Sequence, residues 1–217
     1  VAIPHALLPG PGLEAEISAR PEARAAIRMP AERMHSLLEA ARQEFFDNGF
    51  HDANLDRIAN GAGVGKATLF RHFATKSGLF RHIVLREAET IWGPSIPVTL
   101  GSTIEETLSS LVAGVLDRHL EPRSLALHRL MIAEAGQFPA LMTESSELMR
   151  SGPAAQLRRY LMMFGWPPAG RFACRTFFTI ATDGVRWIGG SEHPDPTARS
   201  ETVGIAVRTM LTGLRTP

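Results

Sequence analysis

Cysteine is nearly absent from this chain. Cys174 stands alone, so neither an internal disulfide nor a cysteine-based zinc cage can hold the fold. That usage suits a reducing compartment, and Cys174 reads as a small buried apolar residue. Long apolar runs are missing too. The longest uncharged stretch, around Trp92 to Ile104, is broken by Gly93, Pro94, Pro97 and Gly101. It falls short of the roughly 18 residues that a membrane-crossing helix needs, so no membrane partner is expected. The first basic residue is Arg20, and the cationic start of a secretory signal is therefore lacking. A cytoplasmic location is expected.

Charge of one sign is scarce overall, with a net of +1, but its distribution is uneven. From Arg20 to Arg86 eleven basic residues face seven acidic ones, whereas from Glu87 onward twelve arginines face thirteen acids. The positive excess thus sits in the first third, which fits a polyanionic partner there and another role behind it. The 217 residues, 44% hydrophobic and 21% charged, otherwise have an ordinary globular composition, enough for one domain or two small ones.

Periodicity is helical throughout. Residues 1–29 hold prolines and glycines without a sustained pattern and read as an irregular arm. Then Met34, Leu37, Leu38, Ala41 and Phe45 recur at three- and four-residue steps, between Pro30 at a first helical position and Gly49 as a cap. Asn54 can cap a short helix over 55–62, which Gly63 ends. Only Val64 and Gly65 separate it from another short helix over 66–73. Two helices joined so tightly form a helix-turn-helix. Thr75 can cap a helix over 76–92. Beyond the Gly93–Gly101 break, further helices start at Thr103, Pro122 and Pro139, the last with Pro153 as a kink or second start. Another, over about 171–189, holds Ala173, Phe177 and Ile188, and a final one over about 198–214 presents Val203, Val207, Met210 and Leu214. With no strands or repeats, the expected fold is all-α. Residues 30–75 form a small three-helix N-terminal unit, and 76–217 a larger helical bundle.

Enzymatic motifs fail their contexts. Gly61-Ala62-Gly63-Val64-Gly65-Lys66 lacks the early glycine and the following Ser or Thr of a phosphate loop, since Asn60 and Ala67 occupy those places. The eight histidines include no pair three or four residues apart, so no metal or cofactor is expected. Gly189-Gly190-Ser191-Glu192-His193 ends wrongly for a nucleophile elbow. No catalytic residue is assigned.

Between Leu38 and Phe80 a denser pattern runs without a gap. It reads Leu38-x-x-Ala41-x-x-x-Phe45-x-x-x-Gly49-Phe50, Leu55-x-x-Ile58-Ala59, Ala62-Gly63-Val64-x-Lys66-x-Thr68-Leu69-Phe70-x-His72-Phe73 and Lys76-x-x-Leu79-Phe80. This resembles the DNA-binding domain of TetR-family transcriptional regulators. Arg129 to Ala135, followed by Phe138-Pro139, is similar to the regulatory domain of a subset of that family. The chain departs from the family at Gly65, where Ser or Thr is usual, and at Phe70, where Tyr is usual.

The resemblance implies double-stranded operator DNA as a partner, read by a homodimer whose C-terminal bundle binds a small-molecule effector. The candidate DNA-contacting residues are Asn54, Arg57, Gly65, Lys66, Ala67, Thr68, Phe70, Arg71, His72 and Lys76. A helix entering the major groove points its first turn at base edges, which singles out Lys66, Ala67 and Thr68. Lys66 and Lys76 are the two lysines of the chain.

Trp92, Met131, Phe138, Met162, Trp166, Phe177 and Phe178 are candidates for an effector pocket, although at helical spacing such residues also serve as plain core. Few ionisable residues lie among them, which suggests a neutral or weakly polar ligand; Arg129, His128 and Glu134 offer one polar anchor. Ala173, Phe177, Ala181, Gly184, Ile188, Val203, Val207, Met210 and Leu214 are candidates for a dimer interface of four helices. The expectation is a ligand-responsive repressor. The alternatives are a non-specific architectural helix-turn-helix protein and a ligand-binding bundle without DNA function.

Overall fold

The computed structural model describes residues 29–93, 95–186 and 196–215. Most of the N-terminal arm, Ile188, and the side chains of Ala181 and Gly184 lie outside the described residues. Among those described there are nine helices and no strand, so the all-α expectation holds. They are α1 (Ala31–Asp52), α2 (Leu55–Gly61), α3 (Lys66–His72), α4 (Lys76–Trp92), α5 (Ile104–Leu120), α6 (Pro122–Glu134), α7 (Pro139–Met163), α8 (Arg171–Arg186) and α9 (Pro196–Arg215).

Local signals account for most of the boundaries. The α1 stripe of Leu37, Leu38, Ala41 and Phe45 is buried. Gly49, at φ +69°, interrupts the helix in a conformation that a Cβ would strain, and the chain winds one more turn that turns Phe50 inward. The Asn54 Oδ1 accepts from the Asp56 and Arg57 amides at 2.7 and 3.4 Å to cap α2. Thr75 Oγ1 accepts from the Gly78 amide to cap α4. Thr103 and Glu106 form a reciprocal capping box at the start of α5. Pro153 neither ends nor restarts α7, which runs through it with the ring buried.

Helix α4 carries more buried residues than one stripe needs, from Leu79 to Trp92, because it packs against α1 on one side and α7 on the other. It belongs to both halves of the molecule. At its first turns Phe80 meets Phe45, Phe50 and Phe138 at ring-centroid distances of 5.1, 5.2 and 5.0 Å. At its far end the loop before α5 is fastened to α7. The Gln156 amide donates to the Ile96 carbonyl while its oxygen accepts from the Ile96 amide, both at 2.8 Å.

Helices α8 and α9 pack on each other and on α5. Several residues of the expected dimer face take part in this packing. Phe177, Val207 and Met210 are buried within the chain, and Ala173, Val203 and Leu214 are half-buried against its core. The described part of this stripe packs within the chain, largely on α5. The outward faces of the same helices expose Phe172 and Ile205.

Candidate functional site

In the N-terminal unit, Leu69 is fully buried and fixes α3 against its neighbours, and this leaves Lys66, Ala67, Phe70 and Arg71 exposed together. Thr68 and His72 are half-buried at the edges of that face. Gly65 precedes the helix with extended backbone and no side-chain cap. A convex surface of two cations, a methyl group and an aromatic edge suits a groove that offers phosphates, base edges and thymine methyls.

The cations on and around this face have internal partners of different strength. Lys66 Nζ lies 2.9 Å from Asp56 Oδ2, with both side chains about half exposed. Such a pair is readily exchanged for a phosphate. Lys76 Nζ donates to the His51 carbonyl at 2.9 Å and sits 5.0 Å from the Phe50 ring centre, so the ammonium is held beside the end of α1. Arg57 is engaged more deeply. Its guanidinium donates to Glu44 in a fork and to the Asp52 carbonyl, while Glu44 Oε1 also accepts from the Asn54 amide. The hydrogen bond from Arg57 is the main cause that holds the Glu44 carboxyl below its ordinary range. Asn54 and Arg57 thus join α1 to α2 here, and the exposed face left without such ties is that of α3.

Helix α6 connects this unit to the bundle. Glu134 Oε1 accepts from the Phe50 amide at 2.8 Å, just past the Gly49 break, and Phe138 stacks edge-on against Phe50 at 4.7 Å. Arg81 of α4 pairs with Glu144 of α7, and Arg123 of α6 holds the buried Glu87 carboxylate of α4 through two nitrogens at 2.7 and 2.8 Å.

Helices α5 to α8 enclose a cavity of about 380 Å³. Methionines 131, 142 and 149 with Phe178 give it apolar walls; His119, His128, Arg129, Ser146 and Arg150 bring polar groups to it. His119 Nδ1 and His128 Nδ1 each stand 3.0 Å from the carbonyl four residues back, so Nδ1–H is the donor in both rings. The two imidazoles stack at 5.4 Å, and His119 also packs against Trp92 at 4.3 Å.

Of the expected pocket residues, Met131 and Phe178 line this cavity and five others do not. Trp92 is 1% exposed, behind His119. Phe138 belongs to the aromatic joint with α1 and α4. Met162 is 68% exposed at the end of α7, Trp166 packs in the following turn, and Phe177 faces the core beside Phe178. Glu134 is not the polar anchor, because it holds the Phe50 amide. The overlooked residues include the apolar Met142 and Met149 and the polar His119, Ser146, Arg150, Thr179 and Thr182. Their signal was spacing. Positions 115/119, 128/131/132/135, 142/146/149/150/153 and 178/179/182 each trace one helical face, and polar residues interrupt all four. Among the described residues no group of three histidine, cysteine or acidic side chains could hold a metal, and no helix is long and apolar enough to cross a membrane.

Residues 37–83 match the family described as bacterial regulatory proteins, tetR family. The chain is 40% identical over 65 residues to the HTH-type transcriptional activator FasR of Mycolicibacterium smegmatis, a match covering 30% of each chain. It is 38% identical over 53 residues to the HTH-type transcriptional regulator UidR of Escherichia coli, covering 24% of this chain and 27% of that one. These matches thus span under a third of the relatives' length. The fold extends further. A TetR family transcriptional regulator from Pseudomonas syringae superposes over 85% of this chain and 97% of its own with a TM-score of 0.63, at 22% identity. Residues 37–83 are thus similar in sequence to the helix-turn-helix of the tetR family of bacterial regulatory proteins, and the larger part of the chain is similar to such a regulator in fold alone.

Proposed function

We propose that the protein is a sequence-specific DNA-binding transcriptional regulator that acts without catalysis, as a dimer, on a palindromic operator in the cytoplasm. The observation that carries this is the exposed face of α3, where Lys66, Ala67, Phe70 and Arg71 stand out from a helix pinned by Leu69. Lys76 and His72 flank it as phosphate or groove-wall contacts. Phe70, 40% exposed, keeps an aromatic edge without a phenolic hydroxyl, which favours a thymine methyl over a phosphate oxygen as its contact. Two such faces in a two-fold dimer would lie about one DNA turn, ~34–36 Å, apart.

The dimer pairs the outward faces of α8 and α9, which carry Phe172 and Ile205. The bundle cavity is the effector site, and the protein is a repressor that its effector releases. Coupling of the two sites is supported by α6, whose side chains line the cavity while its last residue, Glu134, holds the Phe50 amide beside Lys76.

Selection from a random duplex pool tests the reading. One enriched palindrome, whose affinity falls in the triple variant Arg71→Ala, His72→Ala, Lys76→Ala, is expected. Equal affinity for random and selected duplexes would instead mark a non-specific binder, since phosphate contacts alone give no sequence discrimination. Fusing the selected site to a reporter then decides between repression and activation.

A further inference from the structure

The cavity lining carries cations and, among the described residues, no acid. Arg129 comes from α6 and Arg150 from α7, and the remaining polar groups are imidazoles and hydroxyls. Four acidic side chains of these and neighbouring helices are engaged elsewhere: Glu134 with the Phe50 amide, Glu144 with Arg81, Asp117 with Arg199 and Glu87 with Arg123. The depth of the site is apolar. Met131, Met149 and Phe178 are each under 8% exposed, whereas Arg129, Ile132 and Thr179 are exposed and mark the rim.

This polarity discriminates among ligand classes. A cation would face the Arg129 guanidinium at the rim, with no carboxylate among the described lining residues. A polyanion polar throughout would strand the methionine and phenylalanine walls against water-seeking groups. A wholly apolar molecule would fill the depth but leave the guanidinium at the rim unused. The volume, near the lower end of the ~300–1,000 Å³ common for small-molecule sites, admits a short aliphatic chain or a single ring system. Three methionines give walls that adapt to either.

Resting on the reading of this cavity as the effector site, we propose that the effector is a small amphipathic monocarboxylate. Its carboxylate pairs with Arg129 at the rim and its apolar body points inward against Met149 and Phe178.

Calorimetry and thermal unfolding of the full chain without DNA test this, using octanoate and phenylacetate against octanamide, phenylacetamide and octylammonium. At least one carboxylate is expected to bind saturably and to raise Tm, with its amide at least tenfold weaker and octylammonium inert. Arg129→Gln lies on the exposed rim and should fold normally. It should lower carboxylate affinity about tenfold or more while leaving amide affinity unchanged. Binding of the amides or octylammonium as tight as the carboxylates, an unaltered Arg129→Gln variant, or no carboxylate binding at millimolar concentration would each overturn the proposal. Repeating the titration with the selected operator separates the two readings. A carboxylate that binds equally with and without operator upholds the ligand class and overturns the effector role. A protein that selects no operator yet prefers carboxylates does the same.

Discussion

The helix-turn-helix head, α1 to α3, and the bundle, α5 to α9, are both helical and both well packed, yet they are specified differently. In the head, caps and glycine turns sit within a few residues of what they control: Asn54 caps α2, Gly63 turns the chain, and Leu69 anchors α3. In the bundle, the decisive partners are far apart in sequence, as when Gln156 fastens the Ile96 loop or Arg123 covers Glu87. Short-range rules leave a recognisable sequence. Long-range packing constrains volume and polarity, and many sequences meet those. A family model accordingly matches residues 37–83, while 85% of the chain matches a neighbour in fold at 22% identity.

The largest effect should come from Val207→Glu. Val207 is 3% exposed, so the variant buries a carboxylate with no partner and is expected to lose more than ~4 kcal/mol, read by urea unfolding. Ile205→Glu, two residues away but 43% exposed, should keep the fold and yield monomers by sedimentation. A folded Val207→Glu monomer would restore the inward stripe as the dimer face.

Phe80→Ala tests whether head and bundle are separable at all. The ring is fully buried and touches Phe45, Phe50 and Phe138, so its loss should cost ~3–5 kcal/mol. A single transition moved as a whole is expected by circular dichroism. Two transitions, with one unmoved, would make the head an independent unit.

Gly49→Ala strikes the contact between them. At φ +69° a side chain is strained, and its Cβ would lie 3.0 Å from Glu134 Oε1, so a loss of ~1–3 kcal/mol is expected. Glu134→Gln keeps the acceptor and should cost far less. If the two variants lose equal stability, the carboxylate charge matters more than the backbone.

Caps should give a smaller and more even effect. Asn54→Ala in the head and Thr103→Ala in the bundle are each expected to cost ~1 kcal/mol, and only the former should also weaken operator binding.

Acid titration should show the smallest difference. The Glu44 carboxyl is held low by its hydrogen bond from Arg57, and that of Glu106 by its hydrogen bond from Ser102. Both carboxyls release protons more readily folded than unfolded. The stability they give is therefore complete above the unfolded carboxylate range, about pH 4.3, and is lost as pH falls through the lower folded values. Glu44→Gln should flatten the head's share of that loss, as followed by unfolding midpoints between neutral pH and pH 3.

Helices, their caps and the face of α3 were legible because each depends on residues within one or two turns. Lys66, Arg71 and the Leu69 anchor could be placed from spacing alone. The dimer stripe could not: Val207 and Met210 form an apolar face whether their partner is α5 or a second copy, and periodicity carries no information about which. Nor could the cavity. Phe138, Met162 and Trp166 share the chemistry of a pocket wall but ended in a joint, on the surface and in a turn.

The sequence by itself therefore determined an all-helical chain with a helix-turn-helix at residues 54–73, since 3.6-residue periodicity, capping side chains and positive-φ glycines act locally. Tertiary structure alone decided which apolar stripes close on each other and which polar groups meet at the cavity. Helix faces pair through contacts dozens of residues apart. A face complementary to several others is assigned only when all nine described helices compete for the same buried volume.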